Sequence, residues 1–447
     1  MINNIKSKIN SNSFQNNIDT YANHMLVILA FFLSIDSDTM IKDAFVIFFL
    51  LFIFKTNKIQ LLKEALSNKI VIAFLLYGAV YYFGLLFSDD LSKSYLLSKH
   101  FKFTAFIIFI FIFIQHKFTH RIIFSFLLGI FSVAVIFLLL KYQFLDRNLP
   151  IFFTIHSSNN FAPFSYHIAN GLFLVIGSSL LFLTYLIKEN KLDKLFIISM
   201  FFVISIVVFL DIGRTGYILY PIGLFIVIFL RFKKDSLKIL PIFLIAMFIS
   251  AVLAFNYLHT FKSRVLKLQD DIVKIENQQD YHTSLGLRIV QTKQAVNLFL
   301  ESPFFGYGTN MHVKTMYEDA KEKKLFYANT IKRYYTTDSQ YLDTLLQFGT
   351  LGFIIFLNIF YQAFRYKQKD FYLRSVSVVL LSLLLIYFIQ TGISIDIKVY
   401  YTFFFIIAVT MTQAKDDEIP LEQISKSAVF IYGVFIILSF ILSEYIF

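Results

Sequence analysis

Residues 258–283, LHTFKSRVLKLQDDIVKIENQQDYHT, interrupt a chain that is apolar almost everywhere else. Elsewhere, apolar runs of roughly 15 to 23 residues alternate with short connectors, the spacing of membrane spans. From Leu258 to about Gln340 that pattern is absent for about 80 residues, too many for a connector. The interlude holds twelve Lys and Arg, nine acids and three of the nine His. A membrane protein that keeps one folded segment of this size outside the bilayer is expected to do its chemistry there.

The composition agrees with a membrane setting. Of 447 residues, 57% are hydrophobic and only 16% charged, where a soluble domain carries about 25%; mean hydropathy is +0.67. With 58 Phe and no Trp, the interfacial aromatic role falls to 26 Tyr. No Cys is present, which removes disulfides, thiolate catalysis and cysteine metal sites. The formal charge of +12 sits largely in short loops, so it reads as topology and not as a nucleic-acid surface. The first 20 residues lack an apolar core, and no cleavable signal peptide is expected.

Thirteen apolar runs, the first at 22–35 and the last at 429–446, read as helices, because backbone groups within lipid must bond internally. The first two runs are short enough to form a re-entrant pair. The expected fold is an all-α integral membrane protein with about 12–13 transmembrane helices and one large, mainly helical periplasmic loop. Three regions follow: a bundle over 1–257, a loop domain over 258–340 and further membrane helices over 341–447. Placing the N-terminus in the cytoplasm puts the Lys55/Lys58/Lys63/Lys69, Lys188/Lys191/Lys194, Arg231/Lys233/Lys234/Lys238 and Arg365/Lys367/Lys369/Arg374 clusters inside. The opposite loops are poorer in cations, so the long segment faces out. Two smaller outer segments accompany it: 88–102, expected as an interfacial turn of helix, and 141–167, an ordered polar loop.

Several polar groups could carry chemistry. Asp211-Ile-Gly-Arg-Thr-Gly-Tyr217 places an arginine at a membrane boundary. Arg214 could pair with Asp211 at i, i+3 or snorkel; its fork also matches phosphate oxygens bidentately. Residues 262–276 set Val265, Leu268, Ile272 and Ile275 at helical steps, the pattern of an amphipathic surface helix. Thr283 or Ser284 can cap the next helix, 285–300, with Arg288 in its first turns. Arg288 is either a solvated charge or an anion ligand at an otherwise disfavoured position. Gly306-Tyr-Gly308 reads as a turn, and 314–333 as a solvated, mobile segment of mixed charge. His259 is expected at the interface; His282 and His312 are either surface residues or catalytic groups. Asp338, at the entry of an apolar helix, could cap it or accept a proton from an attacking hydroxyl. No phosphate-binding loop, dinucleotide fingerprint or metal-ligand spacing is present, and no cofactor is expected.

Taken in order, GRTGY (213–217), SLGLRIVQTKQAVNLFLESPFFGYG (284–308) and DSQYLDTLLQFGTLG (338–352) resemble the O-antigen ligase and O-antigen polymerase superfamily of bacterial envelope glycosyltransferases. The resemblance implies metal-independent, inverting glycosyl transfer at the periplasmic face of the inner membrane. The donor would be a glycan on undecaprenyl pyrophosphate. The acceptor would be a lipid A-core sugar in a ligase, or a second lipid-linked unit in an O-antigen or capsule polymerase. Arg214 and Arg288 look like the pyrophosphate-binding arginines, with Tyr217, His312 and Gln340 as further substrate-binding candidates. Family ligases typically carry His-Asn where this chain has Asp338-Ser339. Asp338 could take over as base, His312 or His282 could swing in, or no base is needed. A transporter of lipid-linked sugars is the contrasting reading; it would call for ionisable groups near the bilayer midplane, where this chain has almost none.

Overall fold

The computed structural model describes residues 11–35, 37–149, 160–331, 337–392 and 396–413. Among these residues every regular element is helical and no strand occurs. The chain opens with α1 (Asn12–Phe32) and α2 (Ser37–Ile53), then a short α3 (Lys58–Ser67). Next, α4 (Lys69–Phe83) tightens into a 3-10 turn at Gly84–Phe87, and α5 (Leu91–Phe101) continues through a second such turn into α6 (Phe106–Phe113). Helices α7 (His116–Lys141), α8 (His167–Ile187), α9 (Lys191–Leu210), α10 (Arg214–Phe232) and α11 (Ser236–Tyr257) follow. The polar segment supplies α12 (His259–Gln278), α13 (Ser284–Glu301), α14 (Met311–Glu322) and α15 (Ala328–Ile331). The last described helices are α16 (Gln340–Arg365), α17 (Phe371–Gln390) and α18 (Ile397–Thr410).

Helices occupy twelve of the thirteen apolar runs; the run at 429–446 lies outside the described residues. By length and composition alone, eight helical stretches are long and apolar enough to cross a membrane, one of them Arg214–Tyr257, which contains both α10 and α11. The difference from twelve has local causes. The first turns of α1 are polar, α2 has 17 residues, and α18 has 14. The 88–102 segment is more than an interfacial turn: its helix leads directly into α6, and Leu91–Phe113 counts as one crossing.

Small residues set the centre of the bundle. Helix α8 is the most buried candidate span, and Gly171, Gly177, Ser178 and Ser179 are all buried in it. Gly171 lies against the Gly216 backbone of α10, where an added Cβ would meet its nitrogen at 3.3 Å. Close backbone approach through small residues is how membrane helices gain packing in the absence of a water-driven hydrophobic effect.

Helix α16 is broken, and the break joins the polar segment to the bundle. Gly349 has φ 62° and ψ −164°, a region essentially confined to glycine. The ladder around it is completed from 303–308. Tyr307 N–H donates to Leu346 O at 2.8 Å, Gly308 N–H to Gln347 O at 2.9 Å, and Thr350 N–H to Pro303 O at 2.7 Å. Gly306, at φ +67°, supplies the matching turn. The same loop is held on its other side: Thr309 Oγ1 donates to Tyr81 O at 2.6 Å, and Ser88 Oγ to Thr309 O at 3.0 Å. The Leu346 and Gln347 carbonyls and the Thr350 amide beside the break thus find protein partners, as low-dielectric surroundings require. Residues 302–309 are therefore a fixed part of the bundle's end.

One expectation about the polar segment changes. The 314–333 stretch is not wholly mobile: α14 covers Met311–Glu322 and buries His312, Met316 and Ala320. Helix α12 forms as expected, with its apolar stripe largely outward. Asp271 is its buried residue, whereas Val265, Leu268 and Ile272 are exposed.

Candidate functional site

The site is assembled where α9 gives way to α10. Helix α9 ends at Leu210, Asp211 to Gly213 are extended, and the helix restarts at Arg214. Asp211 is buried; its carboxylate accepts from Asn170 Nδ2 at 3.0 Å and from Ile212 N–H at 2.7 Å. Burial is the largest influence on this acid and pushes its pKa up to about 6, against the opposing hydrogen bonds and the field of Arg264. The Tyr217 hydroxyl donates to the Asp211 carbonyl, which fixes the turn. Tyr217 also packs against Phe261 of α12.

Asp211 does not pair with Arg214. The Arg214 guanidinium reaches Asp271 instead, with Nη1 and Nη2 at 3.4 and 3.5 Å from Oδ2. Asp271 is buried and Arg214 about a quarter exposed. The i, i+3 pairing fails because Asp211 lies outside the helix that Arg214 begins, so helical spacing does not relate the two.

The second arginine arrives from α13. Thr283 caps that helix, its Oγ1 accepting from Gly286 N–H at 3.0 Å, which places Arg288 one turn in. Arg288 Nε lies 3.3 Å from Asp338 Oδ2. Asp338 sits in left-handed backbone at φ 59°. The N-cap of α16 is Ser339, with no side-chain capping bond, so Asp338 does not serve as the cap. Burial raises the Asp338 pKa, Arg288 opposes that rise, and the field of Asp343 adds to it. The Asp338 loop is held by Asp343: Thr337 N–H donates to Asp343 Oδ1 at 2.8 Å, and Asp343 N–H to Ser339 O at 2.9 Å.

The two arginines share a neighbourhood through the first residue of α8. Gly213 packs so closely on the His167 carbonyl that an added Cβ would lie 2.7 Å from its oxygen. The His167 imidazole is within electrostatic reach of both Arg264 and Arg288. Its Nδ1 is buried with no hydrogen-bond partner among the described residues. Arg264 itself, half-buried on α12, reaches Asp211 and Tyr217 electrostatically. Arg264 and Arg288 thus both act on His167, whose carbonyl lies against the 211–214 turn, Arg214 begins the helix after that turn, and Arg288 also contacts Asp338.

The remaining candidates lie elsewhere. His312 is fully buried, its Nε2 3.6 Å from Oδ1 of Asp343, the acid that accepts from Thr337 N–H. Gln340 points into the bundle, where Nε2 donates to Tyr77 Oη at 3.2 Å and Thr344 Oγ1 at 3.0 Å. His282 packs on Phe326 with ring centroids 4.0 Å apart, and His259 is exposed at the start of α12. Sequence reading passed over Arg264, Asp271 and His167. Arg264 and Asp271 are seven residues apart, so two helical turns put them on one face, a signal that the apolar stripe of the same helix masked. Nothing local in HSSNNFAPFSYH singles out His167. Among the described residues, no group of three or more His, Asp or Glu is arranged to hold a metal ion.

Comparison with known proteins falls on this same region. Residues 199–357 match the model of the O-antigen ligase family. Over 160 residues the chain is also 28% identical to an uncharacterized protein of Haemophilus influenzae, a match covering 35% of this chain and 39% of that protein. The family match includes Arg214, Arg264, Arg288 and Asp338 and supports the O-antigen ligase superfamily.

Proposed function

We propose that the chain is an O-antigen ligase-type glycosyltransferase that takes a glycan from undecaprenyl pyrophosphate and joins it to a lipid A-core sugar. The observation that carries this reading is that Arg264 and Arg288 both act on His167, which packs on the turn leading to Arg214, with Asp338 in contact with Arg288. The acceptor hydroxyl oxygen attacks the anomeric carbon as the bond to the diphosphate oxygen breaks. The diphosphate departs with the electron pair, and the hydroxyl proton passes to the Asp338 carboxylate. A single displacement inverts the anomeric centre. Guanidinium groups offset the charge that gathers on the leaving diphosphate, which is where fixed donors lower a barrier most. An apolar cleft of about 270 Å³ between α4 and α16, walled by Val80, Phe83, Phe305, Phe348 and Leu351, suits the first isoprene units of the donor. The distribution of short-loop cations supports a site on the periplasmic side of the inner membrane.

Asp338-Ser339 in place of the family ligases' His-Asn favours a second reading, a repeat-unit polymerase with the same donor. Deletion of the gene followed by electrophoresis of lipopolysaccharide separates the two. Loss of all attached O-chain is the ligase result; a core bearing one repeat is the polymerase result; an unchanged ladder rejects both.

Asp338→Asn is expected to lower transfer by about 10²-fold, the lower part of the range for a general base. The sign of the pH effect follows from burial. The carboxylate acts only when ionised, and its raised pKa moves loss of activity to a higher pH than the ordinary Asp value of about 3.9. Activity should therefore be complete above that raised pKa and fall as the pH drops through it, and the acid limb should vanish in Asp338→Asn. A variant with wild-type rate and an unchanged acid limb would leave Asp338 without this role.

A further inference from the structure

At the opposite end of α10 from Arg214, about 27 Å away at 1.5 Å per residue, the chain turns through Lys233–Asp235 into α11. A groove of about 490 Å³ lies between this hairpin and the start of α17. Its walls are apolar, from Phe229, Leu237, Phe371 and Val378, and its rim carries Lys233, Lys234 and Arg374. Among the described residues no carboxylate pairs with these three cations. The acids nearby are engaged elsewhere: Asp235 binds Lys238 at 2.8 Å, and Asp370 lies 3.3 Å from His120 and caps α17 through Leu373 N–H. Helix α11 packs on α10, with Phe243 against Phe225, yet Ile242, Ile245 and Phe248 are 60–70% exposed. The groove therefore opens beside a helix that faces hydrocarbon, not water.

We propose that this groove binds one anionic glycerophospholipid of the cytoplasmic leaflet, its phosphate held by Lys233, Lys234 and Arg374 and its acyl chains against the apolar walls. A soluble anion would leave those walls unused, and a zwitterionic lipid would leave the three like charges uncompensated. Basic clefts between spans on the cytoplasmic side have the chemistry for such head groups. This site is independent of the glycosyl-transfer reading and lies on the other side of the membrane.

The test uses the full chain purified in detergent and titrated separately with dioleoylphosphatidylglycerol, dioleoylphosphatidylcholine and inorganic phosphate. Thermal unfolding and native mass spectrometry are the readouts. Phosphatidylglycerol is expected to raise Tm saturably and to remain bound in the mass spectrum; the other two should do neither. The K233Q/K234Q/R374Q variant should keep the lipid-free Tm and lose most of that shift. Leu237→Trp, which fills the groove and leaves the cations intact, should lose it as well. An equal response to phosphatidylcholine, an equal response to phosphate, or full retention in both variants would overturn the proposal. A dimer mass in place of the lipid adduct would also overturn it, in favour of a second copy of the chain.

Discussion

Arg288→Lys is expected to lower glycan transfer by about 10²- to 10³-fold, the range for loss of one well-placed donor to developing charge. Lysine keeps the positive charge, so the loss would come from geometry. The guanidinium offers Nε to Asp338 at 3.3 Å while its fork can still present the terminal nitrogens to a phosphate. A lysine ammonium is one compact group and cannot meet both partners in the same planar arrangement. The Coulomb energy of a cation about 4 Å from a phosphate oxygen is about 4 kcal/mol at an effective dielectric of 20, large enough for a small displacement to matter. The measurement is single-turnover transfer with lipid-linked donor, alongside a thermal unfolding curve. Full activity in Arg288→Lys would remove the bidentate role. Lost activity together with a collapsed Tm would point to a structural ion pair instead.

Gly349→Ala is the variant expected to damage the fold most. The backbone at Gly349 lies where other residues incur about 1–3 kcal/mol of strain. A methyl group there would also sit 2.3 Å from the Phe304 carbonyl carbon and oxygen. Separating 303–308 from α16 to make room would break the Thr350–Pro303 and Gly308–Gln347 bonds, each worth about 1 kcal/mol net. A total of at least about 3 kcal/mol should appear as a large fall in Tm and in yield of folded protein. Leu351→Ala, two residues on and half-exposed, is the control and should change little. A Gly349→Ala protein with wild-type Tm would mean that the junction opens readily.

The helices and the long polar segment were legible because hydrophobic periodicity is a local signal that burial then obeys. Arg214, Arg288 and Asp338 were conspicuous as charged residues close to helix starts. Their partners were not. Asp211, three residues from Arg214, was the natural choice, whereas Asp271 is 57 residues away and its selection depends on how α12 crosses α10. The amphipathic pattern of α12 marked its apolar stripe, but nothing local to it marked Asp271 as the residue that would be buried against Arg214. The break in α16 was hidden as well: a single Gly in an apolar run does not reveal φ, and its partners lie more than 40 residues upstream. The ESPFFGYG and QFGTLG segments, which looked like two separate motifs, are the two sides of one junction.

That junction has a bearing on how the protein is made. Residues 303–308 leave the ribosome before 346–350, so the segment that accepts and donates at the break is already made when the later helix enters the lipid. A nascent chain need never hold an open helical turn in hydrocarbon while waiting for something downstream. Vectorial synthesis and the geometry of the finished molecule therefore run in the same order.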